Sequence, residues 1–141
     1  MGKTILYTLV GLLVIALGVA IISCSLNPLR QSEEQIRGKM LELTPIGMHV
    51  DDVLEVFENN EEWGNYQHFD DGYLTVRDGR LEIRRHEFLQ EDSKIIGVET
   101  IKVHLGTYLF GLGDTHVVAY WAFDENSNLI DIFVKKEWSG L

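Results

Sequence analysis

An uninterrupted apolar run near the N-terminus limits what the first part of this chain can form. Residues 5–22 contain no charged residue and no proline. Eighteen helical residues cover about 27 Å, close to the thickness of the bilayer hydrocarbon core. A buried helix of a globular domain would normally carry polar residues every three or four positions, and this run lacks that pattern. The run therefore predicts a membrane segment, with the apolar side chains Ile5, Leu6, Leu9, Leu12, Leu13, Ile15, Leu17, Ile21 and Ile22.

The charges that flank this run predict its orientation. Lys3 is the only ionised side chain before Arg30. Because positive charge favours the cytoplasmic side, we expect the N-terminus to stay in the cytoplasm and the rest of the chain to lie outside. Residues 1–23 are thus interpreted as a signal peptide or transmembrane anchor. Residues 24–31 are polar, contain Pro28 and are interpreted as a tether.

The apolar run ends in Ile21-Ile22-Ser23-Cys24. This tetrapeptide resembles a bacterial lipobox, which implies that the Cys24 thiol takes a diacylglyceryl group and becomes the new N-terminus after cleavage. The alternative is an uncleaved anchor helix with an incidental cysteine. Both interpretations give the same topology, a domain held at the outer surface of a bacterial membrane.

The remainder of the chain is strongly acidic. The chain carries 12 basic and 22 acidic side chains, and removing Lys3 leaves 11 basic and 22 acidic groups after residue 29, a net charge of −11. A domain with this charge repels phosphate backbones, which argues against nucleic-acid binding. It also disfavours docking on anionic lipid through charge alone. With a single cysteine, no internal disulfide can form, so the core must stabilise the domain.

Two short helices are predicted at the start of residues 32–141. In the first, Ser32 is the predicted N-cap, Gln35 completes a capping box, and Thr44-Pro45 ends the helix. The second begins near Met48 and ends at Asn59-Asn60. The apolar residues at helical spacing are Ile36, Met40 and Leu43 in the first helix and Val50, Val53, Leu54 and Phe57 in the second.

The rest of the domain has the pattern of antiparallel strands. Residues 73–76 and 81–84 flank an Asp-Gly turn, which predicts a hairpin. Residues 98–108 alternate, residues 115–123 are apolar on both faces as in a central strand, and residues 129–134 return after a polar turn. Lys135-Lys136 would protect an exposed edge there. The predicted fold is an α+β domain of two short helices packed on an antiparallel sheet of about four or five strands.

Three segments together resemble the SmpA/OmlA family, small lipoproteins of the outer-membrane barrel-assembly machine, and the related fold of the β-lactamase inhibitory protein. They are the lipobox-like residues 21–24, residues 46–53 (IGMHVDDV) and residues 118–132 (VAYWAFDENSNLIDI). Residues 46–53 resemble that family's Gly-Met helix start, and residues 118–132 resemble its closing hairpin. The resemblance implies the α+β architecture and, more broadly, a role in envelope assembly. Small secreted immunity proteins use the same fold.

A catalytic set is not evident in the sequence. The only cysteine lies at the membrane, no serine lies in a Gly-x-Ser-x-Gly elbow, and no glycine-rich phosphate loop is present. The five histidines never occur at i, i+2 or i, i+4 spacing. If residues 98–108 and 115–123 pair, His104 and His116 would approach diagonally, as a two-histidine metal site requires; the alternative is two polar residues on a solvated face. We predict neither enzymatic activity nor a cofactor nor a metal.

Exposed aromatic residues are the candidates for partner binding. Trp63, Tyr66 and Phe69 are expected in a loop after the second helix, and Tyr108 and Phe110 flank the glycine turn. The alternative is that most of them pack into the core, as we expect for Trp121. The leading functional hypothesis is a membrane-tethered protein-binding domain of the cell envelope. The alternatives are an immunity or inhibitor protein that neutralises a secreted toxin or hydrolase, and a small-ligand or metal-binding sensor or enzyme.

Overall fold

The structure is a computed structural model that describes residues 11–12, 27–60, 63, 65–75 and 94–140. The chain divides into two compact units, Met1–Gln31 and Ser32–Leu141. In the first, Gly11 and Leu12 are helical, and Pro28–Arg30 forms one 3₁₀ turn. The Asn27 side chain caps this turn by accepting the Leu29 N–H at 2.9 Å.

Most of the predicted membrane segment lies outside the described residues. Leu12 is the one apolar side chain of that segment that the structure describes, and it is exposed. Cys24, the predicted lipidation site, also lies outside them, as do the other segment residues named above. Of the helices that are described, none combines the length and the apolar character needed to cross a membrane.

Helix α1 spans Glu33–Leu43 and begins as the sequence predicts. Ser32 is the N-cap, and the capping box with Gln35 is present in both directions. Glu33 and Glu34 occupy the first turn, where the helix dipole favours acidic side chains. Ile36 and Met40 are buried, whereas Leu43, expected on the same apolar face, is exposed in the last turn.

Helix α2 spans Val50–Glu58 and places one apolar face in the core. Its N-cap is His49, whose Nδ1 accepts the backbone N–H of Asp51 at 3.3 Å. Val53 and Phe57 are fully buried, as the predicted stripe requires. Asn59 is the C-cap, and its side-chain amide donates to the Glu55 backbone carbonyl in the last turn.

The strands of the described residues form a four-stranded antiparallel sheet and a separate two-stranded one. The four-stranded sheet has the order β1-β4-β5-β6, and β2 pairs with β3. The α+β prediction is therefore confirmed. The strands are β1 (Tyr66–Phe69), β2 (Tyr73–Thr75), β3 (Lys94–Ile96), β4 (Glu99–Phe110), β5 (Gly113–Phe123) and β6 (Leu129–Ser139).

Two differences from the predicted strands concern the beginning of the sheet. Tyr66–Phe69, expected in a loop, forms β1 and pairs with Thr100–Val103 of β4. The predicted hairpin of residues 73–76 and 81–84 lies outside the described residues except for β2. In the described part, β2 pairs with β3, with Tyr73 opposite Ile96.

The main core lies between the helices and one face of the four-stranded sheet, here called the helix face. Trp121 lies at its centre, fully buried as predicted, with the Phe57 ring 4.8 Å away in an edge-to-face arrangement. The fully buried residues around it include Ile101, Val103, Ala119, Phe123, Leu129 and Ile132. Strand β5, apolar on both faces, is a central strand of the sheet as expected.

The described residues cover only part of the opposite face, here called the second face. Val118, Tyr120 and Ala122 of β5 form a small buried cluster there, against which Ile96 and Phe133 pack. The turn from β3 into β4 brings Gly97 against β5, since a Cβ added to Gly97 would lie 2.7 Å from the Phe123 carbonyl oxygen. The described residues leave the rest of this face, toward the β4–β5 hairpin, open.

Helix α1 covers the outer edge of the sheet at β6. The Arg37 Nε donates to the Ile132 carbonyl at 2.7 Å, and a Glu33 carboxylate oxygen accepts the Lys136 backbone N–H at 2.8 Å. Ile132 and Lys136 are four residues apart, so their backbone groups point to the same side of the strand. The sequence predicted that two lysines protect this edge, whereas in the structure side chains of α1 bind its backbone groups.

Candidate functional site

The five aromatic residues predicted to bind a partner are not brought together. Trp63 is only 6% exposed, and its ring packs against Phe57 at 6.0 Å and Trp121 at 6.3 Å. Trp63 is therefore a core residue, which corrects its assignment to the binding surface. Tyr66 is half-buried on the same face, 6.1 Å from the Phe57 ring.

The remaining three lie at opposite ends of the sheet. Phe69 is opposite Thr100 at one end of β4, and Phe110 is the last residue of that strand. Ten residues of strand separate these positions, a distance of about 33 Å. Tyr108 is half-buried, and the Lys136 ammonium lies 5.3 Å from its ring centroid and within 3.3 Å of its hydroxyl. Of the five, only Phe110 is a strongly exposed side chain.

Phe110 is one of four exposed apolar side chains around the tip of the β4–β5 hairpin. Leu112, in the turn, is 90% exposed, and Leu109, Phe110 and Trp138 are each exposed by more than 60%. We call these four residues the hairpin-tip patch; by the strand register, Phe110 and Trp138 lie on the helix face and Leu109 on the second face. A cleft of about 280 Å³ lies beside the patch, lined by Leu109, Leu112, Asp114 and Ser139 among others.

Trp138 joins this patch because β6 is longer than predicted. The strand continues past Val134 to Ser139, which places Trp138 opposite Thr115. The Trp138 ring packs directly on the backbone at the start of β5. A Cβ atom added to Gly113 would lie only 2.7 Å from the indole Nε1, so a glycine is needed there. The alternation of Ile132, Val134, Lys136 and Trp138 along β6 is the sequence signal that could have identified this residue.

A second candidate site lies on the open part of the second face. The pairing of β4 with β5 brings His104 and His116 together, with ring centroids 5.7 Å apart, as the predicted hairpin required. Thr107 lies between them: its hydroxyl is 3.2 Å from His104 Nε2 and 3.0 Å from His116 Nδ1. The other nitrogen of His116 is 3.2 Å from the Ser139 hydroxyl.

A β-bulge makes this arrangement possible. The pairing register of β4 with β5 shifts between His104 and Gly106, so Leu105 is an extra residue in β4. Gly106 has a φ angle of 144°. After the shift, Thr107 is directly opposite His116. In an unshifted register Thr107 would be opposite Thr115 and would face the helices. The strict alternation read from the sequence did not include this irregularity.

The histidines lie in an open groove of about 600 Å³ whose lining is mixed in charge, with Asn65, Gln67, Lys102 and Glu137 among its other residues. Glu137 is opposite His116, and its carboxylate lies 2.9 Å from the Lys135 ammonium. The hydrogen bond from Lys135 lowers the Glu137 pKa, and the charges of Lys135, Lys102 and His116 lower it further.

Tyr120 adjoins the groove on the same face. Burial raises the pKa of its phenol to about 12, with a smaller contribution from the Glu137 charge. The Lys102 ammonium lies 5.9 Å from its ring centroid. Within the described parts of the chain, no three histidine, aspartate, glutamate or cysteine side chains converge as they would in a closed metal centre.

The contact between Ser139 and His116 differs from that of an activated nucleophile. Ser139 Oγ lies within donor distance, 3.3 Å, of the Asp114 backbone carbonyl. The remaining His116 nitrogen faces the neutral Thr107 hydroxyl. In a serine–histidine–aspartate site, a carboxylate occupies that position and orients the base. Ser139 is therefore better interpreted as a residue that fixes the His116 ring.

Comparison of this chain with protein-family models, with curated proteins and with solved structures finds no match. Its two candidate sites, the hairpin-tip patch and the histidine groove, are accordingly interpreted from their own geometry. The patch is apolar and projects from the sheet. The groove is polar and holds two imidazoles directed at one hydroxyl group.

Proposed function

We propose that this protein is an extracytoplasmic protein-binding domain, tethered to a bacterial membrane by its N-terminal apolar segment, and that it binds its partner through the hairpin-tip patch. The observation that carries the proposal is the exposure of four large apolar side chains at one end of the sheet. Exposed apolar residues that occur singly need no explanation, but a group of them indicates an interaction surface.

The energetics favour burial of this patch against another protein. Fully burying one large apolar side chain contributes about 1.5–3 kcal/mol. Leu112 and Phe110 project from a tight turn, where they can enter a pocket without rearrangement of the sheet. Trp138 is a tryptophan, one of the residue types that contribute most to binding energy at protein interfaces. The partner we infer is a protein with an apolar pocket that accepts the hairpin turn.

The charge of the domain favours a partner with a basic surface around that pocket. Residues after 29 carry a net charge of −11, and exposed Asp114 lies beside the patch. A basic rim would increase the association rate and exclude acidic competitors. This charge also supports the alternative function, neutralisation of a basic secreted toxin or hydrolase. The resemblance to barrel-assembly lipoproteins supports a role in envelope assembly or maintenance instead.

Photo-crosslinking in cell membranes tests the proposal. A photoreactive residue at position 112 of the full-length chain should yield a discrete crosslinked protein, and the double variant Phe110→Ser/Trp138→Ser should reduce that yield at least tenfold. The matched control is Leu43→Ser/Ile46→Ser, which replaces two exposed apolar residues outside the patch and should leave the yield unchanged. Equal crosslinking in both double variants would refute binding through the patch.

A separate measurement tests the anchor. Growth with labelled palmitate should label the wild-type chain and not Cys24→Ala if residues 21–24 act as a lipobox. Absence of label from the wild type, with the chain still in the membrane fraction, would assign an uncleaved helix. A full-length chain recovered entirely in the soluble fraction would contradict both forms of the tether.

A further inference from the structure

We propose that His104 and His116 form a binding site for a divalent transition-metal ion of the zinc class. The two imidazole nitrogens would serve as its protein ligands, and water would complete the coordination. This inference is independent of the proposed partner binding. It rests on the convergence of two ring nitrogens on one point above the second face.

The convergence is evident from the contacts of Thr107. Its Oγ1 lies 3.2 Å from His104 Nε2 and 3.0 Å from His116 Nδ1. Both nitrogens therefore point at the same small volume from two neighbouring strands. A pair of histidine ligands for a metal needs two ring nitrogens directed at one centre. Because the Thr107 hydroxyl has a single proton, it donates to only one of them; when His116 Nδ1 accepts, His104 Nε2 donates to the Thr107 oxygen and must pass its proton to His104 Nδ1 as the metal binds.

The contact with Ser139 favours the His116 tautomer whose lone pair is directed at that centre. When the Ser139 hydroxyl donates to the Asp114 carbonyl at 3.3 Å, its oxygen accepts from His116 Nε2 at 3.2 Å, and this arrangement favours the tautomer protonated on Nε2. With the proton on Nε2, the Nδ1 atom is an acceptor. A metal-binding histidine commonly donates its other N–H to a neighbouring acceptor, which fixes the ring orientation. Ser139 provides this acceptor.

The type of ion follows from the ligands. Imidazole nitrogens suit Zn²⁺, Cu²⁺ and Ni²⁺, whereas Mg²⁺ and Ca²⁺ prefer oxygen ligands. The carboxylate of Glu137, opposite His116 in the sheet, lies on the same face and adds negative charge near the ion. Lys102 and Lys135 lie near this carboxylate and oppose the effect. We therefore expect a site of moderate affinity and not a buried structural centre.

Binding requires a small rearrangement. Zn–N bonds are about 2.0–2.1 Å long, roughly 1 Å shorter than the present distances from the nitrogens to Thr107 Oγ1. The Thr107 side chain must therefore turn away while the rings move inward. His104 and Thr107 are exposed and His116 is only half-buried, so all three can adjust without repacking of the core.

Zinc binding to the full-length chain in detergent micelles tests the assignment. Zn²⁺ at ten times its dissociation constant should raise the melting temperature by about 5 °C, and Mg²⁺ should not. His104→Ala and His116→Ala should each abolish the shift. His68→Ala is the matched control, since His68 lies on β1 and pairs with Glu99 at 2.6 Å; this variant should keep the shift.

NMR of ¹⁵N-labelled histidine rings gives a readout that does not depend on folding stability. Zinc should change the shifts of His104 Nε2 and His116 Nδ1 and leave those of His68 unaffected. Thr107→Ala removes the bridging hydroxyl but keeps both rings, so it should bind zinc at least as tightly as the wild type. Zinc responses retained in both His104→Ala and His116→Ala, or absent from the wild type, would overturn the proposal.

Discussion

The indole N–H of Trp121 donates to the Thr44 hydroxyl at 2.9 Å, and both residues are completely buried. The same hydroxyl donates to the Met40 carbonyl at 2.9 Å, one of the last carbonyls of α1. Thr44 thus satisfies two polar groups at once, one on the central strand and one at the helix end. This contact joins the C-terminal end of α1 to strand β5 at the centre of the core.

Thr44→Val should destabilise the domain by about 1–3 kcal/mol, because it keeps the side-chain shape and leaves the buried indole N–H without its acceptor. Urea unfolding followed by tryptophan fluorescence measures the loss. In a Trp121→Phe background the same substitution should cost much less, since the indole donor is then absent. An equal cost in both backgrounds would contradict the contact.

Thr100→Val provides the opposite case. Thr100 is 2% exposed, and its hydroxyl has no hydrogen-bond partner in the described structure. Removing an unsatisfied buried hydroxyl should stabilise the domain by about 1 kcal/mol. The same urea experiment measures this gain. A loss comparable with that of Thr44→Val would indicate a partner for the Thr100 hydroxyl.

Arg37→Met should destabilise the domain by about 1–2 kcal/mol and promote association through β6. The substitution removes the 2.7 Å hydrogen bond to the Ile132 carbonyl and the 2.8 Å ion pair with Asp131, but keeps an apolar stem. Unfolding and light scattering measure the two effects. Lys39→Met, on an exposed position of the same helix, is the control and should change neither. Equal behaviour of the two variants would disprove edge protection by α1.

Gly97→Ala should be more destabilising than Gly111→Ala. Both glycines have positive φ, 77° and 65°, so an alanine at either site is strained by about 1–2 kcal/mol. Only at Gly97 would the new Cβ also meet backbone, 2.7 Å from the Phe123 oxygen, whereas nothing lies within 4 Å at Gly111. Thermal unfolding of the two variants measures the difference. Similar melting temperatures would argue against close packing of the β3–β4 turn on β5.

Raising the pH should destabilise the wild-type chain more than Tyr120→Phe. The folded-state pKa of Tyr120 is about 12, whereas the unfolded phenol ionises near pH 10. Between these values the unfolded state binds fewer protons, so stability falls as pH rises. The urea midpoint should therefore drop further between pH 9 and pH 11 in the wild type. Parallel decreases would show that Tyr120 ionises normally in the folded state.

The sequence predicted those elements whose signals are local. The capping box of Ser32 and Gln35, the apolar stripe of α2 and the turn beginning at Asp124 need only neighbouring residues, and all three are present. In that turn, Asp124 accepts the N–H groups of Asn126 and Asn128, and these bonds lower its pKa, that from Asn128 contributing most. Local chemistry of this kind depends little on the rest of the fold.

The features that the sequence did not predict depend on contacts between distant segments. Trp63 follows two glutamates just after a helix, a sequence context typical of an exposed loop. In the fold its ring packs against the rings of Phe57 and Trp121 and is buried. Residues 66–69 lack the length of a typical strand and pair only because β4 offers an edge. The continuation of β6 to Trp138 likewise follows from the length of β5, its partner.

The extra residue Leu105 determines which face each later side chain of β4 occupies. Before it, odd-numbered residues such as Ile101 and Val103 face the helices; after it, even-numbered residues such as Tyr108 occupy that face. A one-residue deletion here would exchange the two sets. It would separate Thr107 from His116 and reorient Phe110 in the same step. Natural variants that differ in length at this point should therefore change both surfaces together, whereas substitutions can alter either one alone.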